Sequence, residues 1–278
     1  MKTLWVFWRR FTRNRAAAGA AVVLVAVLAI AGFGRLLYRT DPFEMVGQPF
    51  QPPLGAFALG TDVAGRDILA GIIHGAGVSL FIAVVATLCA TVTGVTLGAL
   101  AGYYGGLLDD VLMRSTEFFL TIPSFLLAVV LVAIFSPSVL TITVAIAVVS
   151  WPSVARLARG EFIAHRDRDY VNACRAIGTP EWRIILVHIL PNALPPIIVV
   201  ASLMVATSIL TESGLSFLGL GDPNVVSWGY MIGVARSVLR VAWWMAAIPG
   251  FMILVTVLAI NLVGEGLNDA LNPRLTGR

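Results

Sequence analysis

Three histidines and two cysteines are the residues of this 278-residue chain best suited to acid–base, nucleophilic or metal chemistry, and their spacing serves none of these. His74, His165 and His188 stand apart from one another. No nucleophile elbow, phosphate-binding glycine loop or His-Glu-x-x-His pair occurs. Cys89 falls in an apolar run and Cys174 in a polar one, so neither a disulfide nor a metal set is expected. His165 lies in a polar segment and reads as a surface residue. No residue is assigned to catalysis and no metal or cofactor to the chain.

A different kind of work is written between residues 161 and 191. Tyr170, Ala173, Cys174 and Ile177 recur at helical spacing, with Asp169, Asn172 and Arg175 between them. Gly178 ends that helix as a left-handed residue would. Thr179, Pro180 and Glu181 then read as N-cap, first helical position and first-turn acid of a second helix. Trp182, Arg183, Ile185 and Ile189 carry it towards Leu190-Pro191. Two amphipathic helices meeting at a glycine turn form a projecting corner, which suits docking into a groove on another protein.

The elements that must hold this corner are membrane spans. Only 12% of the residues are charged and 58% are hydrophobic, with a mean hydropathy of +0.90. A soluble domain carries about 25% charged residues. Long uncharged runs cover 16–34, 68–108, 118–155 and 241–264, and 184–211 holds only His188. The run 118–155 would make a helix of about 57 Å against a hydrocarbon core of about 30 Å, so it must fold back. Ser136-Pro137-Ser138 supplies the turn, giving spans near 118–135 and 139–155. The run 68–108 reads as one helix from about Ser79 to Tyr103, preceded by an interfacial stretch and followed by a short inner loop at 104–110. The fold class is all-α integral membrane, with six transmembrane helices.

Lys and Arg set the orientation. Fourteen of the 19 fall on one face when the chain crosses six times: Lys2, Arg9, Arg10, Arg13, Arg15, Arg114, the six arginines between 156 and 183, Arg274 and Arg278. Both termini and the corner are thereby expected in the cytoplasm. The net charge of +4 is an orientation signal and implies no nucleic acid. Trp5, Phe7, Trp8 and Phe11 among N-terminal arginines suit an anchor at the lipid headgroups. No Asp, Glu, Lys or Arg falls in the middle of an expected span, although ion-coupled carriers need ionisable groups at depth. If the chain transports a solute, the energy is expected to come from elsewhere. Glu212 and Asp222 read as structural or solvated. Gly94, Gly98, Gly102 and Gly106 form a stripe that lets another helix backbone approach.

The corner resembles the EAA loop of binding-protein-dependent ABC importer permeases, with Ala173, Gly178, Leu190 and Pro191 in register. Asn172, Cys174 and His188 stand where that pattern has Glu, Ala and Ile. Leu-Gly-Thr-Asp-Val-Ala-Gly-Arg-Asp (59–67), Gly-Tyr-Tyr-Gly-Gly (102–106), Ser-Phe-Leu-Gly-Leu-Gly (216–221) and Asn-Asp-Ala-Leu-Asn-Pro-Arg-Leu (268–275) resemble the C-type permease of the dipeptide/oligopeptide/nickel subfamily. The resemblance implies a type I importer core, with the first helix outside five others. It implies a homologous second permease, two ATPase subunits that carry ATP and Mg, and an external solute-binding protein. Residues 1–74 would hold the anchor, first helix and outer loop, 75–264 the core with the coupling loop at about 156–191, and 265–278 the tail. Asn172 would dock with altered strength, since a neutral amide bonds less strongly than a carboxylate. Di- and oligopeptides lead the implied solutes, with nickel chelates, glutathione and opines as alternatives, and a stand-alone channel or carrier is the alternative outside the family.

Overall fold

The computed structural model describes residues 11–12 and 14–271. Most of the expected headgroup anchor, with Trp5, Phe7 and Trp8, lies outside the described residues, as do Arg274 and Arg278. The described residues form nine helices: α1 (Arg15–Leu37), α2 (Ile68–Tyr104), α3 (Gly106–Thr121), α4 (Ser124–Phe135), α5 (Val139–Arg166), α6 (Asp169–Ala176), α7 (Glu181–Leu220), α8 (Trp228–Ala235) and α9 (Trp244–Leu271). Five are long and apolar enough to cross a membrane, and α3 with α4, an apolar pair bent by 86°, gives six when the pair is counted as one broken span.

The bend comes from Ile122-Pro123. Pro123 has no N–H to continue α3, and its carbonyl accepts from Leu127 N to begin α4. This corrects the expected straight span at 118–135. The expected inner loop at 104–110 also shrinks to a hinge. Gly105 and Gly106 have φ of 67° and 59°, so the chain turns within two residues and α3 starts at once.

Helix α2 is longer than expected. It begins at Ile68, where the Asp67 carboxylate accepts from Leu69 N, and its 37 residues span about 55 Å. The added turns pack under α8. Trp228, with no exposed surface, donates its ring N–H to the Ile72 carbonyl and its backbone N–H to Ser79 Oγ, both at 3.0 Å. Helix α1 lies outside, touching α2 and α9 through Ala17, Ala20, Val27 and Gly34, while Val22, Val25 and Phe33 face outwards.

Two packing features hold the bundle. Along α2, a Cβ on Gly94 would approach the Trp151 carbonyl to 2.7 Å, and one on Gly102 the Arg159 carbonyl to 2.6 Å. One on Gly98 would lie on the Ala155 carbonyl. The three glycines thus seat α5 directly on the α2 backbone. Gly106 has no part in this seam, since a Cβ there meets open space and the helix has already ended.

The second feature is Glu212, buried near the outer end of α7. Its Oε1 accepts from Ser227 Oγ at 2.7 Å and Ser216 Oγ at 3.0 Å, tying α7 to the residue that caps α8. Asp222 Oδ2 accepts from Val139 N at 3.0 Å and so begins α5. Both acids are thus held by hydrogen bonds that join elements of the fold.

Gly98→Ala must displace the α5 backbone and is expected to cost about 1–3 kcal/mol, the usual range for overpacking. Gly160→Ala, where a Cβ meets nothing within 4 Å, is expected to be neutral or slightly stabilising. Thermal unfolding of the two variants in detergent measures the contrast.

Candidate functional site

The last eleven residues of α5, 156–166, carry Arg156, Arg159, Glu161 and Arg166 and stand beyond its apolar part. They form the floor of the predicted corner. Phe162 is fully buried there with Val171 of α6 and Ile184 and Ile189 of α7. Val171 is therefore the residue that pins α6 down. Of the predicted stripe, Tyr170 and Cys174 are half-buried and pack on the same cluster, whereas Ala173 and Ile177 face outwards.

The turn is built by backbone geometry. Gly178 has φ of 77°. Thr179 N donates to the Cys174 carbonyl and Gly178 N to the Arg175 carbonyl, both at 3.0 Å, which is the Schellman arrangement. Thr179 is thereby consumed in closing α6 and does not cap α7. Pro180 occupies the N-cap, and Glu181 is the first helical residue. This corrects the expected register by one position.

Downstream, α7 widens into a π-helical turn over Ile184–Ile189, immediately before Pro191. Pro191 has no N–H to donate, and the wide turn accommodates its ring. Asn192 Nδ2 reaches back to the His188 carbonyl at 2.6 Å. Leu190 is half-buried, and Pro191 is exposed.

His165 is not a surface residue. It is 9% exposed, and its Nδ1 lies 2.9 Å from Tyr170 Oη, which links α5 to α6. Burial lowers its pKa below the ordinary histidine value, assisted by the Arg168 cation and opposed by Glu161. Burial likewise raises the pKa of Tyr170. Asn172 is exposed, with Nδ2 donating to the Asp167 carbonyl at 3.2 Å and Oδ1 accepting from Arg175 at 3.3 Å. A glutamate at 172 would lose the first bond.

The outer rim of the corner is Asn172, Ala173, Arg175, Ile177, Gly178, Pro180, Glu181, Trp182 and Arg183, all exposed, with Asp169 beside them. Ile177 and Trp182 are 81% and 62% exposed. A large aliphatic and a large aromatic side chain flank one glycine turn with cations on either side. Sequence reasoning missed the supports beneath: Phe162, His165, Val171 and Tyr103. Tyr103 ends α2, donates its hydroxyl to the Glu181 carboxylate and lies under the Arg175 guanidinium. Its only sequence signal was the Gly-Tyr-Tyr-Gly-Gly motif.

Within the membrane, the α3–α4 bend opens a cavity of about 530 Å³ against α5 and α7. Ser124, Ser150, Ser153, Thr207 and Thr211 line it with apolar neighbours, and among the described residues no charged one does. Below it, a hollow of about 560 Å³ is lined by Asp109, Asp110, Arg114, Glu117, Arg156 and Arg159. Asp109 holds Arg159 through two bonds of 2.5 and 2.6 Å.

Burial lowers the folded pKa of His165, so its packing stabilises the corner fully above the ordinary value of about 6.5, and this contribution is lost as pH falls from there through the lower folded pKa. Protection of the 169–177 amides, measured against their intrinsic exchange rates at each pH, is expected to fall below that pH, and His165→Gln is expected to remove this fall in protection.

Comparison with known proteins places this architecture. Residues 94–277 match the family described as binding-protein-dependent transport system inner membrane component. Residues 3–53 match the N-terminal TM domain of oligopeptide transport permease C. The chain is 39% identical to the di/tripeptide transport system permease protein DppC of Pseudomonas aeruginosa, over 97% of this chain and 91% of that one. It is 41% identical to the dipeptide transport system permease protein DppC of Escherichia coli K12, over 99% and 94%. It is 38% identical to the glutathione transport system permease protein GsiD of Pectobacterium atrosepticum, over 99% and 93%. A solved structure of the MetNI methionine ABC transporter in an inward-facing conformation superposes with a TM-score of 0.62 at 18% identity, covering 74% of this chain and 98% of that one. The fold is that of a type I ABC importer permease. With two thirds of its length matched and the fold in agreement, the chain belongs to the family of binding-protein-dependent transport system inner membrane components.

Proposed function

We propose that this permease moves di- or oligopeptides across the bacterial inner membrane, driven by ATP hydrolysed on partner subunits. The observation that carries the reading is the corner at Gly178. Two large apolar side chains, Ile177 and Trp182, stand exposed on a turn whose underside is locked to the spans. Exposed apolar residues on a rigid turn are costly in solvent and suit a partner's groove. The partners implied are two ABC ATPases, identical or different, a homologous second permease that completes the path, and a solute-binding protein outside. ATP and Mg belong to the ATPases, and this chain is a non-catalytic subunit. Its termini and corner are cytoplasmic, in keeping with the Lys and Arg distribution. Residues 75–264 serve as the transmembrane core.

The hydroxyl-lined cavity at the α3–α4 bend suits this solute class. It offers hydrogen bonds without fixed charge, so peptides of differing side chains can pass, and selection falls to the binding protein. Glutathione is a second candidate solute, favoured by the 38% identical relative named for its transport. Asn172 weakens one contact with the ATPase relative to a glutamate, so Asn172→Glu is expected to change the coupling of hydrolysis to uptake.

Affinity purification of the chain from its native membrane is expected to bring down two ATPases and a second permease. Gly178→Val places a β-branched residue at φ of 77° and is expected to break coupling, leaving hydrolysis without uptake. Trp182→Ala is expected to weaken ATPase capture by about 2 kcal/mol or more, as for a buried aromatic hot spot. A chain that purifies alone and passes peptide without ATP overturns the reading.

A further inference from the structure

The coupling corner must be held by something stiffer than its own turn, and Tyr103 is placed to do this. It is the penultimate residue of α2 and is 6% exposed. Its hydroxyl donates to the carboxylate of Glu181, the first residue after the turn. Its ring lies 5.5 Å from the guanidinium carbon of Arg175, three residues before Gly178. One side chain therefore grips both arms of the corner. The neighbouring Gly102 carbonyl accepts from Arg166 Nη1 at 3.1 Å, which ties the end of α5 to the same point. At its other end, α2 holds the buried Trp228 of α8 through Ile72 and Ser79. A single 37-residue helix thus runs from the corner to the outer elements.

Resting on the coupling reading above, we infer that Tyr103 is a positioning residue for coupling, clamping both arms of the Gly178 corner to α2 so that displacement passes along this helix between the ATPase side and the outer side. The bond joins a buried Tyr103 hydroxyl to the carboxylate of an exposed Glu181, and its loss releases the second arm while Arg175 still stacks on the ring. The corner then keeps its shape and its exposed rim but no longer moves as one piece with α2.

The test uses the whole importer in lipid, purified from its native membrane, with ATP hydrolysis measured with and without its own binding protein. The readout is each variant's stimulation relative to its own unstimulated rate. Tyr103→Phe keeps the ring and removes only the bond, and its stimulation is expected to fall about tenfold, the effect of losing one bond to a charged group. Glu181→Leu is expected to match it. Glu181→Gln, which retains an oxygen acceptor, is expected to recover most of the stimulation. The double variant Tyr103→Phe/Glu181→Leu is expected to be no worse than either single change. Full stimulation in Tyr103→Phe overturns the inference, as does a Gln variant as poor as Leu, or a double variant whose loss is the product of the single losses. Absence of ATPases from the unaltered complex overturns the coupling reading itself, and this inference with it.

Discussion

Contact between the backbones of α2 and α5 is the constraint on which the rest of the structure depends. Three glycines on α2 meet three successive turns of α5 at Trp151, Ala155 and Arg159. In lipid no hydrophobic force drives helices together, so close van der Waals contact must do so. Because the seam runs to Gly102, it delivers the polar end of α5 to the end of α2. Phe162, His165 and Arg166 then form a floor on which α6 can fold. A side chain at Gly98 would push the helices apart, and the floor would go with them.

Much of the span count was legible because hydropathy and length are properties of the chain alone. Six crossings, the turn at Ser136-Pro137-Ser138 and the helical corner follow from apolar runs, proline and glycine. What was not legible depended on distant residues. The first turns of α2 are helical because Trp228, some 150 residues away, covers them and binds Ile72 and Ser79. His165 is buried because Val171 and Tyr170 fold back over the end of α5, although its neighbours in sequence are polar. The glycine stripe was readable as a period of four. That Gly106 leaves it depends on Gly105 adopting φ of 67°.

Charge is distributed by the same logic. The spans exclude fixed charge from the cavity at the α3–α4 bend, while Glu212 survives near the outer end of α7 because two serines satisfy it. The other charged residues gather mainly at the two ends of the bundle, and at the end that bears the corner Asp109 is matched to Arg159. Among the described residues, Glu212 is the buried acid of a candidate span, and its bonds to Ser216 and Ser227 hold it within the packing of α7 and α8. On the proposed function, the exposed corner is where energy from the ATPases enters.

The corner's role is tested most directly by a photo-reactive amino acid placed at Trp182, irradiated in native membranes, with mass spectrometry of the crosslinked products. The account predicts crosslinks to a nucleotide-binding ATPase subunit. Crosslinks only to lipid, or to the chain itself, would contradict it.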